Sequence, residues 1–172
     1  AAIDLNIEFA PEKKLVDECK HKLIERISNC ANSDPKLTYL TSSGMSALHT
    51  ALEIIYEIFP KRPTLQIGFP YVDVLKLPKN IFYGADLITE EKTKDIELEI
   101  KKINPSALII ELPSNPLLKC INIKKIAKIA NDLKIPVITD DTIGSNINID
   151  SLQVSDMVFT SLTKTFSGSG DI

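Results

Sequence analysis

Short apolar runs alternate with segments of helical periodicity along this chain, and that alternation constrains the fold more than any other feature. Residues 107–112 form an apolar run typical of a strand that is buried on both faces of a sheet. Similar runs at 64–69, 137–140 and 157–161 are separated by helical stretches. Strands spaced by helices in this way predict βαβ units. We therefore predict an α/β fold with a mostly parallel sheet flanked by helices.

Helices are predicted wherever apolar residues recur at three- and four-residue spacing. The predicted helices cover residues 11–31, about 43–59, 70–77, 92–103 and 123–133. Pro60 ends the second of them, because proline cannot continue a helix. Shorter extended pieces are predicted at 37–40, 80–83 and 87–89.

Length and charge limit the functional classes. A chain of 172 residues is long enough for one domain with a proper core. Its net charge is −3 with lysines and acids interspersed, which argues against nucleic acid and anionic membranes as partners. No apolar run approaches the length of a membrane span. The abrupt start and end predict a fragment of a longer protein, with a helical segment at 1–37 and the main domain at 38–172.

The three cysteines are an odd, scattered set without metal-ligand spacing. This pattern predicts that Cys19, Cys30 and Cys120 are reduced thiols and favours a cytoplasmic setting. Each is predicted to be a small buried hydrophobic residue and not a reactive group.

Polar side chains follow four of the predicted strands. These residues are Tyr71, Ser114 with Asn115, Asp140 with Asp141, and the segment from Ser161 to Lys164. Ligands of open α/β sheets bind at the carboxyl ends of the strands. The four clusters together therefore predict one binding site.

Lys164 and Asp140 carry the strongest chemical signal. The lysine follows the hydroxyl residues Ser161 and Thr163, which suits a covalently held aldehyde cofactor with a phosphate tail. A carboxylate at a buried strand end needs a cation or a strong donor, and a pyridinium nitrogen, a magnesium ion and an arginine are the alternatives. Metal ranks low because no further carboxylate or histidine cluster supports it. Without these neighbours, Lys164 would be an ordinary surface lysine.

Three further motifs each have a simpler alternative. The segment Thr41-Ser-Ser-Gly-Met-Ser leads into a helix, whose free N–H groups suit a phosphate, although taken alone it favours capping by Ser42 or Ser43. Asn115, between two prolines, would bond a ring oxyanion or merely stabilise its own turn. Glu111 is interpreted as an acid that satisfies a buried donor.

Four segments resemble, in order, the signatures of the pyridoxal-phosphate enzymes of Cys/Met metabolism, in fold type I of the aspartate aminotransferase superfamily. These segments are Ser43-Gly-Met, Glu111-Leu-Pro-Ser-Asn-Pro-Leu-Leu, Asp140-Asp-Thr and Ser161-Leu-Thr-Lys. The run Gly68-Phe-Pro-Tyr-Val-Asp-Val-Leu-Lys is similar to the fungal cystathionine γ-synthase branch. The resemblance covers roughly residues 38–172 and implies that this part is the large, cofactor-binding domain, here incomplete.

By position, the resemblance implies that Lys164 holds pyridoxal 5'-phosphate and moves protons, and that Tyr71 stacks on its ring as a second catalytic residue. Asp140 would keep the ring nitrogen protonated, and Asn115 would face the phenolic oxygen. The implied cofactor-binding residues are Ser43, Gly44, Met45, Tyr71, Asn115, Asp140, Thr142, Ser161, Thr163 and Lys164.

The implied reaction is γ-replacement, in which a thiol displaces the acyl group of an O-acylhomoserine. The motifs do not separate this reaction from that of an O-acetylhomoserine sulfhydrylase or of a cystathionine or methionine γ-lyase. A non-catalytic binding module is a further alternative, and the joint presence of Lys164, Asp140 and Asn115 argues against it. A generic nucleotide-binding domain is weaker still, because the chain lacks G-x-G-x-x-G and P-loop motifs.

The resemblance also implies amino-acid substrates and a homodimer or homotetramer. The chain departs from the family pattern in four ways. The family Tyr-Gly-Gly reads Tyr71-Val-Asp, and the family Asp-Asn-Thr reads Asp140-Asp-Thr. No Tyr-x-Arg motif precedes residue 38, and Arg26 and Arg62 are not placed to bind a substrate carboxylate. We therefore expect an incomplete active site in this chain alone.

Overall fold

The computed structural model describes residues 12–89 and 95–167. The chain divides after Leu40 into two compact units. Within the described ranges, no helix is both long and apolar enough to cross a membrane.

The first unit contains one long helix, α1, at Lys13–Cys30. This helix confirms the prediction for 11–31, of which residue 11 lies outside the described ranges. Ser28 is buried, and its hydroxyl donates to the carbonyl of Ile24 at 2.7 Å and bonds the hydroxyl of Thr38 at 2.9 Å. The extended piece predicted at 37–40 is partly wrong, because residues Pro35–Leu37 form a 3-10 turn that the Asp34 side chain caps.

The second unit is a five-stranded sheet in which every paired strand is parallel. Its strands are β1 Thr64–Ile67, β2 Ala85–Ile88, β3 Leu108–Glu111, β4 Val137–Asp140 and β5 Met157–Phe159. Its helices are α2 Gly44–Ile58, α3 Val72–Ile81, α4 Ile96–Ile103, α5 Ile123–Asp132 and the single turn α6 Ser145–Asn148. The predicted parallel α/β sheet flanked by helices is confirmed. Of the helix predicted at 92–103, residues 92–94 lie outside the described ranges.

Helices cover both faces of the sheet. Helices α4 and α5 pack on one face through Ile100 and Ile126, against Leu108 and Ile110 of β3. Helices α2 and α3 pack on the other face, where the apolar cluster includes Ile109 of the same strand. Successive residues of a strand point to opposite faces, so β3 is buried on both sides as predicted.

Helix α3 corrects the predictions for 70–77 and 80–83, because it continues through Pro78 to Ile81. A proline has no N–H, so Pro78 leaves the carbonyl of Val74 without its usual helical donor. The buried side chain of Gln66 donates to that carbonyl at 3.5 Å. The chain then closes the helix with a hydrogen bond from the N–H of Phe82 to the carbonyl of Pro78. A donor from β1 thus helps the helix to pass a residue that would otherwise end it.

The predicted burial of the cysteines is wrong. Cys19, Cys30 and Cys120 are all exposed and free. The buried residues of helix α1 are Ile27 and Ser28. The apolar spacing that includes Cys19 and Cys30 therefore does not mark a buried face of this helix. Cys120 lies in the exposed loop that precedes α5.

Candidate functional site

The strand order β2-β1-β3-β4-β5 brings the four polar clusters to one edge of the sheet. Strands β1, β3, β4 and β5 are consecutive neighbours, and parallel strands end at the same edge. The segments that carry Tyr71, Asn115, Asp140 and Ser161 therefore follow one another across that edge. Sequence reasoning placed each cluster after a strand, and the sheet order puts those strands side by side.

The start of helix α2 closely approaches the loop after β5. Ser43 caps the helix by accepting a hydrogen bond from the N–H of Ser46 at 3.1 Å, as the capping alternative predicted. A Cβ added to Gly44 would lie 3.0 Å from Cβ of Ser161, a tight contact, so glycine favours this close approach. Helix geometry leaves the N–H groups of Gly44 and Met45 without an intrahelical acceptor. The N–H groups of Gly44 and Met45 therefore lie near the hydroxyl-bearing side chain of Ser161.

Hydroxyl groups link the loops after β4 and β5. The N–H of Ser161 donates to Oγ1 of Thr142 at 2.9 Å, and Oγ1 of Thr165 donates to the carbonyl of Thr142 at 3.2 Å. Oγ of Ser161 lies 3.0 Å from Oγ1 of Thr163, to which Nζ of Lys164 donates at 3.2 Å. The lysine side chain itself is exposed. Thr142 therefore orders the segment that carries both hydroxyls and the lysine.

The carboxylate of Asp140 is almost fully buried. It is 5% exposed, and its Oδ1 accepts a hydrogen bond from the N–H of Thr142 at 3.0 Å. Burial raises the pKa of Asp140, and the hydrogen bonds from Thr142 partly offset this rise. A buried carboxylate is stabilised by a cationic or strongly donating partner. The position therefore suits a protonated ring nitrogen.

Glu111 joins the segments that carry Tyr71 and Asn115. Its Oε2 accepts from the N–H of Tyr71 at 2.6 Å, and its Oε1 accepts from the N–H of Asn115 at 3.1 Å. Burial, followed by the charge of Asp140, raises the pKa of Glu111 to about 7, while the two backbone donors lower it. The interpretation of Glu111 as a partner for a buried donor is confirmed. Sequence reasoning missed that it serves two donors from separate loops.

Ser114 and Tyr71 have different surroundings at this edge. Ser114 is buried and stabilises its own loop. Its N–H donates to the carbonyl of Lys119, and its hydroxyl accepts from the N–H of Lys119.

The side chain of Tyr71 is 51% exposed. A hydrogen bond with the side chain of Asp73 raises the pKa of the Tyr71 phenol. Asp73 is the last residue of the Tyr-Val-Asp segment that departs from the family pattern.

Asp141 is the least satisfied polar residue of the edge. It is 1% exposed, and within the described ranges its Oδ1 has no hydrogen-bond partner. Burial, and then the charge of Asp140, raises the pKa of Asp141 to about 7. A Cβ added to Gly144 would lie 3.1 Å from the same oxygen, so the surroundings are tightly packed.

Replacing Asp141 with asparagine is expected to stabilise the protein at alkaline pH. The unfolded chain ionises this group near pH 4 and the folded protein near pH 7, so its cost appears between those values and is complete above about pH 7. Allowing for solvent screening, we expect Asp141→Asn to add about 1–2 kcal/mol at pH 8 and little at pH 4. Urea denaturation of the cofactor-free full-length protein at both pH values measures this. The control is Asp132→Asn, which makes the same change at an exposed position. An equal effect of Asp141→Asn at both pH values would contradict the raised pKa of Asp141.

Comparisons with known proteins agree with these features. The family described as Cys/Met metabolism PLP-dependent enzyme matches residues 18–172. Cystathionine gamma-synthase of Neurospora crassa is 35% identical over 80% of this chain and 24% of its own length. A putative cystathionine gamma-synthase of Saccharomyces cerevisiae is 36% identical over 94% of this chain and 27% of its own length. The chain thus spans about a quarter of the length of these curated relatives.

Solved structures share the fold. A putative O-acetylhomoserine (thiol)-lyase of Campylobacter jejuni superposes with a TM-score of 0.69 at 24% identity, over 87% of this chain and 37% of that one. That structure carries N'-pyridoxyl-lysine-5'-monophosphate. The family match and the two fungal relatives confirm the resemblance seen in the sequence motifs. The chain belongs to the pyridoxal-phosphate-dependent enzymes of Cys/Met metabolism.

Proposed function

We propose that the protein is a transsulfuration enzyme in which a thiol replaces the acyloxy group on the γ-carbon of an O-acylhomoserine, which leaves as the free carboxylate. The observation that carries the proposal is the convergence, at one sheet edge, of a buried carboxylate, a lysine with two hydroxyl neighbours and a helix start. Relatives named cystathionine gamma-synthase in Neurospora crassa and Saccharomyces cerevisiae support the choice of reaction. We further propose amino acids as substrates, a homodimer or homotetramer, and residues 38–172 as the cofactor-binding part.

The described residues fit pyridoxal phosphate. The close approach of Gly44 to Ser161 leaves backbone donors and hydroxyls together, which suits a phosphate group. Buried Asp140 suits the ring nitrogen, and Asn115 offers an amide toward the phenolic oxygen. Lys164 supplies the amine that bonds the aldehyde carbon, and Tyr71 supplies an aromatic face. Ser43 and Thr142 act through their hydrogen bonds, since one caps α2 and the other orders the Ser161 segment.

Each residue then has a defined task in the reaction. When bound, the cofactor supplies an electron sink for charge that develops on the substrate carbons. Asp140 keeps a proton on the ring nitrogen, because its dry surroundings make an unpartnered carboxylate costly. Nζ of Lys164 would accept the proton from the α-carbon of the substrate and move it onward. Thr163, which accepts a hydrogen bond from that nitrogen, helps to hold the lysine in place.

Product analysis tests the proposed reaction. We expect the full-length protein, supplied with O-acetylhomoserine and cysteine, to form cystathionine and release acetate. Formation of homocysteine from sulfide, with no reaction of cysteine, would assign a sulfhydrylase. Cleavage of cystathionine or methionine without γ-replacement would assign a lyase. No turnover of any of these substrates by cofactor-loaded protein would favour the binding module.

A further inference from the structure

We infer that Glu111 is a positioning residue that holds Tyr71 and Asn115 in a fixed relation across the crevice between β1 and β3. The inference rests on the proposed function, in which these two residues contact the cofactor ring. This task differs from those of the proposed cofactor-binding residues. The carboxylate of Glu111 acts through two backbone N–H groups and not on the cofactor itself.

The topology separates the two loops that Glu111 links. The chain leaves β1 through α3 on one face of the sheet and leaves β3 through α5 on the other face. Adjacent strands whose connections diverge in this way open a crevice at their carboxyl ends. Tyr71 and Asn115 stand on opposite sides of that crevice, in loops that run toward different helices. The hydrogen bond from the N–H of Tyr71 to Glu111 crosses from the loop after β1 to the end of β3, and the bond from the N–H of Asn115 holds the loop that follows β3.

We call the Glu111 carboxylate with its two hydrogen bonds, from the N–H groups of Tyr71 and Asn115, the clamp. The side chain comes from the last residue of β3 and is 8% exposed. Each of its oxygens takes one N–H, at 2.6 Å for Tyr71 and 3.1 Å for Asn115. Hydrogen bonds from a backbone N–H to an ionised carboxylate are roughly twice as strong as neutral ones. The loop that carries Asn115 is also held by a hydrogen bond of 2.7 Å from the N–H of Leu118 to the carbonyl of Ser114.

A carboxylate of this length suits the clamp. Glutamine has one acceptor oxygen, and its amide group would turn a donor toward one of the two N–H groups. Aspartate offers both oxygens on a shorter side chain, which cannot span the same distance. Asp140 is the register partner of Glu111 on β4, and burial followed by the charge of Asp140 raises the pKa of Glu111. The two backbone donors lower the pKa of Glu111 and so favour its ionised form.

Hydrogen exchange of the full-length protein, measured without cofactor, tests the clamp directly. We expect Glu111→Gln to speed amide exchange in peptides covering 68–72 and 112–118 by about 10- to 100-fold, as the loss of a charge-assisted hydrogen bond implies. Peptides from α2 and α5 should keep their wild-type rates. Glu57→Gln makes the same chemical change at an exposed position of α2 and should leave both segments unchanged.

The loaded enzyme provides a second readout. With Tyr71 and Asn115 free to move, we expect the visible circular dichroism of bound cofactor to change and kcat to fall about tenfold, with a smaller change in KM. If Glu111→Gln does not fold, Glu111→Asp is measured in its place, and faster exchange in the Tyr71 segment is expected. Wild-type exchange in both segments, or exchange that rises equally throughout the domain, would overturn the inference. A wild-type protein that binds no cofactor would instead overturn the proposed function, and the exchange result would remain interpretable.

Discussion

Lys164→Ala is expected to abolish covalent attachment of the cofactor and to lower turnover by about 10⁴-fold or more. The variant lacks both the amine that bonds the aldehyde and the base that moves the substrate proton. Its fold should be unaffected, because the Lys164 side chain is exposed and its hydrogen bond to Oγ1 of Thr163 lies at the surface. Borohydride reduction followed by peptide mapping measures attachment, and single-turnover kinetics measures the chemical step.

The control for this experiment is Lys128→Ala, which removes an exposed lysine from α5. It should retain the wild-type yellow colour, the reduced cofactor label and full activity. Wild-type protein should carry the label on the peptide that contains Lys164. A label on another lysine, or normal turnover by Lys164→Ala, would show that this lysine does not hold the cofactor.

Asp140→Asn is expected to lower kcat by about 10²- to 10⁴-fold while the protein still binds some cofactor. The amide keeps the shape of the side chain and the acceptor for the N–H of Thr142, but it carries no charge to hold a proton on the ring nitrogen. Stopped-flow kinetics and the visible spectrum of the bound cofactor measure the effect. Asp86→Asn, on the exposed edge strand β2, should leave both unchanged.

Stability separates this catalytic role from a structural one. Burial raises the pKa of Asp140 in the cofactor-free protein, so ionisation of this group opposes folding as the pH rises. Cofactor-free Asp140→Asn should therefore be at least as stable as wild type at pH 8. A variant that loses activity only because it unfolds would contradict the proposed role of Asp140.

Local patterns in the sequence were sufficient for most elements of the second unit. The apolar run 137–140 is strand β4 as predicted, and the spacing at 123–133 is helix α5, which ends at Asp132. These elements follow from the period of their apolar residues, which is a short-range property of the chain. Helix α3 shows the limit, because it continues through Pro78 and the carbonyl of Val74 accepts a hydrogen bond from Gln66 in another element.

The same division applies to the candidate site. The identities of Lys164, Asp140, Asn115 and Tyr71 were available from motifs that follow the strands, since the chemistry depends on residue types and their order. The burial of Asp141 was not, because the sequence marks it only as a departure from the family pattern. Among the residues that the structure describes, its Oδ1 has no hydrogen-bond partner, and it lies in a tightly packed position beside Gly144.

The sequence by itself determined the alternation of strands and helices, the polar clusters after four strands and the resemblance to the pyridoxal-phosphate enzymes. Only the tertiary structure decided that those four strands are neighbours, that Gly44 meets Ser161 and that Glu111 binds two loops at once. The physical reason is one of range. Periodicity and turn chemistry act between residues a few positions apart, whereas Glu111 accepts from Tyr71, 40 residues away in the chain. Such a contact exists only after the sheet has brought the strand ends together.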